Sequence, residues 1–242
     1  GYDASIFSMP AFAQPLPHPQ YIIAPSIDRL DYTKGIPERF RAFERALEKY
    51  PRLLGRISLF QLVIPSRTRV PYYQDLKGIL DRLVGRINGR FAQTSGEHLG
   101  WAPIHYVYGT MTREELVGCY RACQTALITP LRDGMNLVAK EYCASHVNLD
   151  GVLILSEFAG AAEQLAAGAV IVNPYDRERT ADAIHEAFMM PPDERRRRLE
   201  ILRRAVARHD VHQWVRWYLD FFAQTPAEAA DVEEPASNRK SH

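Results

Sequence analysis

Short apolar runs alternate with amphipathic stretches along most of the chain. Tyr21 to Ser26, Ile57 to Ile64, Ile104 to Tyr106, Thr125 to Ile128, Val152 to Leu155 and Ala169 to Val172 are brief apolar segments set off by turn residues, the pattern of strands buried on both faces. Between them apolar positions recur at helical spacing over Glu38 to Lys49, Tyr72 to Ile87 and Arg113 to Arg121, and again in a helix that opens near Asn136. After Asn173-Pro174-Tyr175 the pattern is helical, through Ala181 to Met189, Asp193 to Arg208 and Val211 to Phe222. This alternation predicts an α/β fold built on a Rossmann-like, doubly wound parallel sheet. In such a sheet ligands bind where strands end and helices begin.

With 242 residues and 46% hydrophobic content, the chain can bury one substantial core but is short for a two-domain enzyme. Thirty basic against 29 acidic residues leave a formal charge of +1, so the bulk balance points neither to nucleic acid nor to a membrane surface. No apolar run is long enough to span a bilayer and the opening residues lack a signal-peptide pattern, which predicts a soluble, cytoplasmic protein. Cys119, Cys123 and Cys143 have no metal-ligand spacing and are expected to be reduced core thiols. The proline-rich segment from Ala11 to Pro19 is expected to be an extended linker, and the polar stretch from Pro226 to His242 a disordered tail. The run Arg195 to Arg198 has Asp193, Glu194 and Glu200 close by, which favours a solvated helix face over a polyanion site. None of the histidines from His98 to His212 lies in a recognisable base motif, so they are assigned structural roles.

Two strand-to-helix loops carry chemistry. In the first, Leu131-Arg132-Asp133-Gly134-Met135-Asn136-Leu137-Val138-Ala139-Lys140-Glu141, Gly134 would let backbone approach a ligand and the first helical amides would favour an anion. Asp133 can accept from sugar hydroxyls, and Glu141 projects about one turn further along. Asp133 acting only as a helix N-cap is the plainer alternative. In the second, Ile27 to Pro37, Arg29 and Lys34 lie on a Gly-containing loop, where a guanidinium and an ammonium could bind a diphosphate. Asp28 and Asp31 could instead neutralise them in a structural network. Arg67 follows the strand that ends near Ile64 and so falls at the ligand edge, where its planar fork suits a phosphate; the alternative is a surface arginine paired with a carboxylate.

Ser26 to Pro37, Pro65-Ser66-Arg67, Val84-Gly85-Arg86-Ile87-Asn88-Gly89-Arg90, the Asp133 turn and Leu155-Ser156-Glu157-Phe158-Ala159-Gly160-Ala161-Ala162 together resemble the trehalose-6-phosphate synthase family, in its order, from Tyr21 to about Phe222. The resemblance implies a retaining glycosyltransferase of GT-B architecture that transfers glucose from UDP-glucose to glucose 6-phosphate, without metal or cofactor. It further implies that this chain is the C-terminal, nucleotide-sugar-binding lobe. Residues 1–20 would then be the end of the preceding domain and a linker, 21–225 the lobe, and 226–242 the tail. Most of the acceptor site would belong to the N-terminal domain, and the lobe alone would lack turnover. A homo-oligomer is compatible with this assignment.

By the same resemblance, Arg29 and Lys34 would bind the diphosphate and Asp133 with the amides of Gly134, Met135 and Asn136 would position the donor glucose. Leu137 and Val138 would lie near the phosphates, Glu141 would accept from the ribose, and Arg67 would hold the acceptor's phosphate. The base would lie beside Tyr108 to Met111, and the Ser95 to His98 region looks longer than in many members. Glucosylglycerol-phosphate synthases, which use ADP-glucose and glycerol 3-phosphate, share the Asp133 turn and the Val84 to Arg90 phrase, but Asp28 to Tyr32 favours the trehalose enzyme. A noncatalytic nucleotide-sugar-binding module is a further alternative, against which the intact Arg29, Lys34, Asp133 and Glu141 argue.

Overall fold

The computed structural model describes residues 20–65, 70–91, 100–208 and 211–224, with backbone alone for 20–29 and for part of the last helix. Among them six strands form one parallel sheet: β1 (Gln20–Arg29), β2 (Ile57–Ile64), β3 (Ile104–Tyr108), β4 (Thr125–Ile128), β5 (Val152–Ser156) and β6 (Val170–Val172). The spatial order is β3-β2-β1-β4-β5-β6. Each strand is followed by a helix: α1 (Ile36–Lys49), α2 (Pro71–Phe91), α3 (Arg113–Ala122), α4 (Leu137–Ser145), α5 (Ala162–Leu165) and α6 (Arg177–Met189). Helix α7 (Pro192–Arg208) comes next.

Period-two alternation of the strand side chains sends apolar groups to both faces of the sheet. From β2, Leu59 and Val63 join a core with Phe40 and Phe43 of α1, Leu80 of α2 and Ile184 of α6. Phe60 and Leu62 enter the opposite core, with Tyr120 of α3, Tyr142 of α4 and Leu199 of α7. The doubly wound α/β arrangement expected from the sequence is the one observed. Cys119, Cys123 and Cys143 are buried free thiols in the second core, and burial pushes the Cys143 thiol up to about 12.

Three local features add to or alter the sequence expectation. Strand β1 does not stop at Ser26 but continues to Arg29, after a register shift between Ala24 and Asp28. Pro25 has no amide to donate, so pairing with β2 lapses there and resumes at Asp28. Arg29 therefore ends a strand rather than riding on the loop. The Val84 to Arg90 phrase lies within α2, where Arg86 and Arg90 both pair with the buried Glu44 of α1. Asn88 donates to Ile104 O and accepts from Ile104 N, each at 2.9 Å, and so braces the start of β3, the sheet edge away from the ligand side. The arginine run is the solvated helix face expected at Arg196 and Arg197, with Arg197 and Arg198 both paired with Glu194, but Arg195 keeps only 14% side-chain exposure and pairs with Asp150 at 3.0 Å.

Contacts divide the chain after Val206, and α8 (Val211–Gln224) belongs to the second unit. Tyr218, Leu219 and Phe221 are exposed on it. The side chains of Trp214, Trp217 and Phe222 lie outside the described residues, as do the linker, the tail, the Ser95 to His98 region and Arg67. No helix among the described residues is long and apolar enough to cross a membrane.

Candidate active site at the switch point of the sheet

From β1 the chain winds outward to β2 and β3, then returns to β4 on the other side of β1 and winds outward again. The loops leaving β1 and β4 therefore diverge from neighbouring strands and leave a crevice at their carboxyl ends.

After β1, Asp31 Oδ1 accepts from Thr33 N and Thr33 Oγ1, both at 2.9 Å, and caps a single 3-10 turn over Tyr32–Lys34. Gly35 closes that turn with φ 63° and opens α1. A Cβ there would lie 2.7 Å from Thr129 O, so both the backbone angle and the space require glycine. Thr33 O then accepts from Leu131 N at 2.7 Å and Arg132 N at 3.1 Å, which joins the two divergent loops. Lys34 and Asp133, 99 residues apart, meet across that junction with Nζ 2.7 Å from Oδ2. Their side chains are 19% and 15% exposed.

Asp133 also accepts from Asn136 Nδ2 at 3.1 Å and from Met135 N at 3.3 Å. The N-cap of α4 is a different residue: Asn136 takes a left-handed φ of 75° and its Oδ1 accepts from Ala139 N at 3.0 Å. Asp133 is thus not the cap of α4. The loop after β5 holds the turn from behind. Asp133 N donates to Phe158 O at 3.2 Å, Gly160 N donates to Asp133 O at 2.8 Å, and Ala161 N donates to Met135 O at 2.6 Å. A Cβ on Gly160 would fall 2.1 Å from Gly134 O, whereas a Cβ on Gly134 would meet nothing within 4 Å. At this turn the glycine required by close approach of two backbones is Gly160, not Gly134.

Burial pushes the Asp133 carboxyl up, but the hydrogen bond and charge of Lys34, helped by Met135 N and Asn136, outweigh it and hold the group below the usual carboxylate range. A depressed folded-state value means that the pair's stabilisation is present above the unfolded carboxylate pKa and is lost as pH falls through the folded one. Denaturant titrations of wild type and Lys34→Met are therefore expected to differ most near neutral pH and to converge in acid below the ordinary carboxylate range. A gap that persisted unchanged to acid pH would contradict an ionised Asp133.

Of the remaining predicted residues, Arg67 lies outside the described residues. Arg29 ends β1 in register with Ile64, placed by its backbone alone. Met135 and Leu137 are 46% and 58% exposed, Val138 is half-buried, and the amides of Leu137 and Val138 lie at the open end of α4. Glu141 is exposed and accepts from Tyr120 Oη at 3.0 Å. Tyr108 ends β3 at the same sheet edge, with Gly109 N donating to Val63 O. Among the described residues no group of three or more His, Cys, Asp or Glu side chains gathers as a metal site would need.

Residues 17–224 match the family model of glycosyltransferase family 20. The chain belongs to glycosyltransferase family 20. It is 45% identical to a trehalose-6-phosphate synthase of Sodalis glossinidius over 213 residues, 88% of this chain and 44% of that protein. Among solved structures it resembles trehalose-6-phosphate from E. coli bound with UDP-2-fluoro glucose (TM-score 0.78, 41% identity, 86% of this chain and 44% of that one). It is also similar to a UDP-forming alpha,alpha-trehalose-phosphate synthase from Burkholderia xenovorans in complex with glucose-6-phosphate (TM-score 0.77, 40% identity, 85% and 43%). The chain spans less than half the length of these relatives.

Two residues of this family 20 chain escaped the sequence pattern. Arg39 of α1 is 1% exposed, and its guanidinium donates to Thr129 Oγ1 at 3.1 Å, Gln61 Oε1 at 3.0 Å and Lys34 O at 3.1 Å. It ties β2 and the loop after β4 to the backbone that carries Lys34. The available signal was a charged residue three positions after Ile36, inside the apolar stripe of Ile36, Phe40, Phe43 and Leu47. Tyr120, the donor to Glu141, gave no such signal, because an aromatic in an apolar stripe reads as core.

Proposed function

We propose that this chain is the donor-binding lobe of a retaining glucosyltransferase that moves glucose from UDP-glucose to glucose 6-phosphate, giving α,α-trehalose 6-phosphate and UDP. The observation that carries this is the meeting of Lys34 and Asp133 at the switch point, a cation and a sugar-hydroxyl acceptor 2.7 Å apart beside the open N-terminus of α4. In the free protein each group satisfies the other. When donor enters, the ammonium serves the diphosphate and the carboxylate serves the glucose hydroxyls.

Arg29 joins Lys34 at the diphosphate, and the amides of Gly134, Met135 and Asn136 line the donor glucose. Leu137 and Val138 lie by the phosphates, Glu141 receives the ribose hydroxyls, and Arg67 holds the phosphate of the acceptor. As the bond from C1 to the β-phosphate oxygen breaks, negative charge grows on UDP and the two cations stabilise it. The acceptor hydroxyl oxygen bonds to C1 from the same face, and its proton passes to the departing phosphate oxygen. No protein nucleophile is needed. The relatives are about twice as long as this chain, and their N-terminal domain is expected to supply most of the acceptor pocket.

Joined to that domain, the lobe is expected to release UDP and form trehalose 6-phosphate from UDP-glucose and glucose 6-phosphate, while the 242-residue chain alone shows negligible transfer. A two-domain enzyme that preferred ADP-glucose and glycerol 3-phosphate would overturn the proposal. Full turnover by the chain alone would overturn the division of labour.

A further inference from the structure

We propose that Tyr120 is a positioning residue for nucleotide binding, its hydroxyl holding the Glu141 carboxylate in the orientation that receives the ribose. This rests on the assignment of Glu141 to the ribose hydroxyls made above.

Glu141 is exposed just over one turn into α4, and an exposed glutamate stem rotates about several bonds. Tyr120 has no such freedom. It is 1% exposed, its ring sits edge-on to Tyr142 with centroids 6.4 Å apart, and its carbonyl accepts from His146 Nε2 at 2.7 Å. From this fixed ring the hydroxyl donates to Glu141 Oε2 at 3.0 Å. Among the described residues Tyr120 is the one side-chain donor shown against that carboxylate.

A carboxylate offers roughly four lone-pair sites, so the tyrosine occupies one and leaves both oxygens able to accept from a vicinal diol. The orientation is set before the ligand arrives, and the ordering that an unrestrained glutamate would undergo on binding is avoided. Helix α3 thus acts on the nucleotide without touching it. A bare packing role for Tyr120 would need only the ring, which phenylalanine also supplies.

The test is calorimetric titration of the 242-residue chain with UDP and with 2′-deoxy-UDP, for wild type, Tyr120→Phe, Glu141→Ala and the double variant. Wild type is expected to bind UDP about tenfold more tightly than 2′-deoxy-UDP, because the analogue lacks one hydrogen bond to a charged acceptor. Tyr120→Phe is expected to shrink that ratio to about threefold or less, by weakening UDP more than 2′-deoxy-UDP. In the Glu141→Ala background the same substitution should change neither affinity. A Tyr120→Phe chain with the wild-type ratio, including one that weakened both nucleotides equally, would overturn the inference and leave the Glu141 assignment standing. A wild type indifferent to the 2′-hydroxyl would overturn both.

Discussion

Lys34→Ala in the two-domain enzyme is expected to lower kcat by about two to three orders of magnitude and to weaken UDP binding as well. The loss should be one of charge rather than of architecture. The turn that carries Lys34 is held by the Asp31 cap, by Arg39 at the Lys34 carbonyl and by Leu131 N and Arg132 N at Thr33 O, none of which involves the ammonium. Asp133 would keep its bonds from Met135 N and Asn136 Nδ2. The deficit should therefore appear with the fold intact, in steady-state kinetics and in UDP titration. Arg197→Ala is the control, since that guanidinium is 61% exposed and pairs with Glu194 on α7. If Lys34→Ala left both transfer and UDP affinity unchanged, the diphosphate assignment would be wrong.

The second large effect separates two glycines that look alike in the sequence. Gly160→Ala places a methyl 2.1 Å from Gly134 O, a backbone atom that cannot swing aside as a side-chain tip would, so the loop after β5 or the Asp133 turn must move. A stability loss of about 2–3 kcal/mol is expected in denaturant titration, with donor binding impaired because the displaced turn carries Asp133. Gly134→Ala should behave in the opposite way. Its Cβ would enter open space and the backbone there is not left-handed, so stability should change by no more than about 0.5 kcal/mol. The methyl would nevertheless stand where the donor glucose is proposed to lie, and UDP-glucose should bind more weakly. Wild-type UDP-glucose affinity in Gly134→Ala would remove the donor from that position.

The sheet was legible because burial on both faces leaves short apolar runs such as Thr125 to Ile128 with little to mistake them for. Helical periodicity likewise gave α1 to within two residues at its start. The site was legible only as two separate loops. That Lys34 and Asp133 touch depends on β1 and β4 being neighbours, a product of strand order that no local pattern encodes. Gly134 drew attention as the residue that lets the backbone approach a ligand, whereas the left-handed backbone of that turn is at Asn136, whose side chain caps α4. Arg39 was hidden for a related reason. A charge in an apolar stripe resembles a boundary position until its partners, contributed by β2 and by the loops after β1 and β4, are seen around it.

The central claim is that the crevice between the loops after β1 and β4 takes a uridine diphosphate sugar. Calorimetric titration of the 242-residue chain with UDP, ADP and GDP tests it most directly. One site with clear preference for UDP, competed by UDP-glucose and weakened in Lys34→Ala and Glu141→Ala, is the predicted result; tighter binding of ADP, or binding of none of the three, would contradict it.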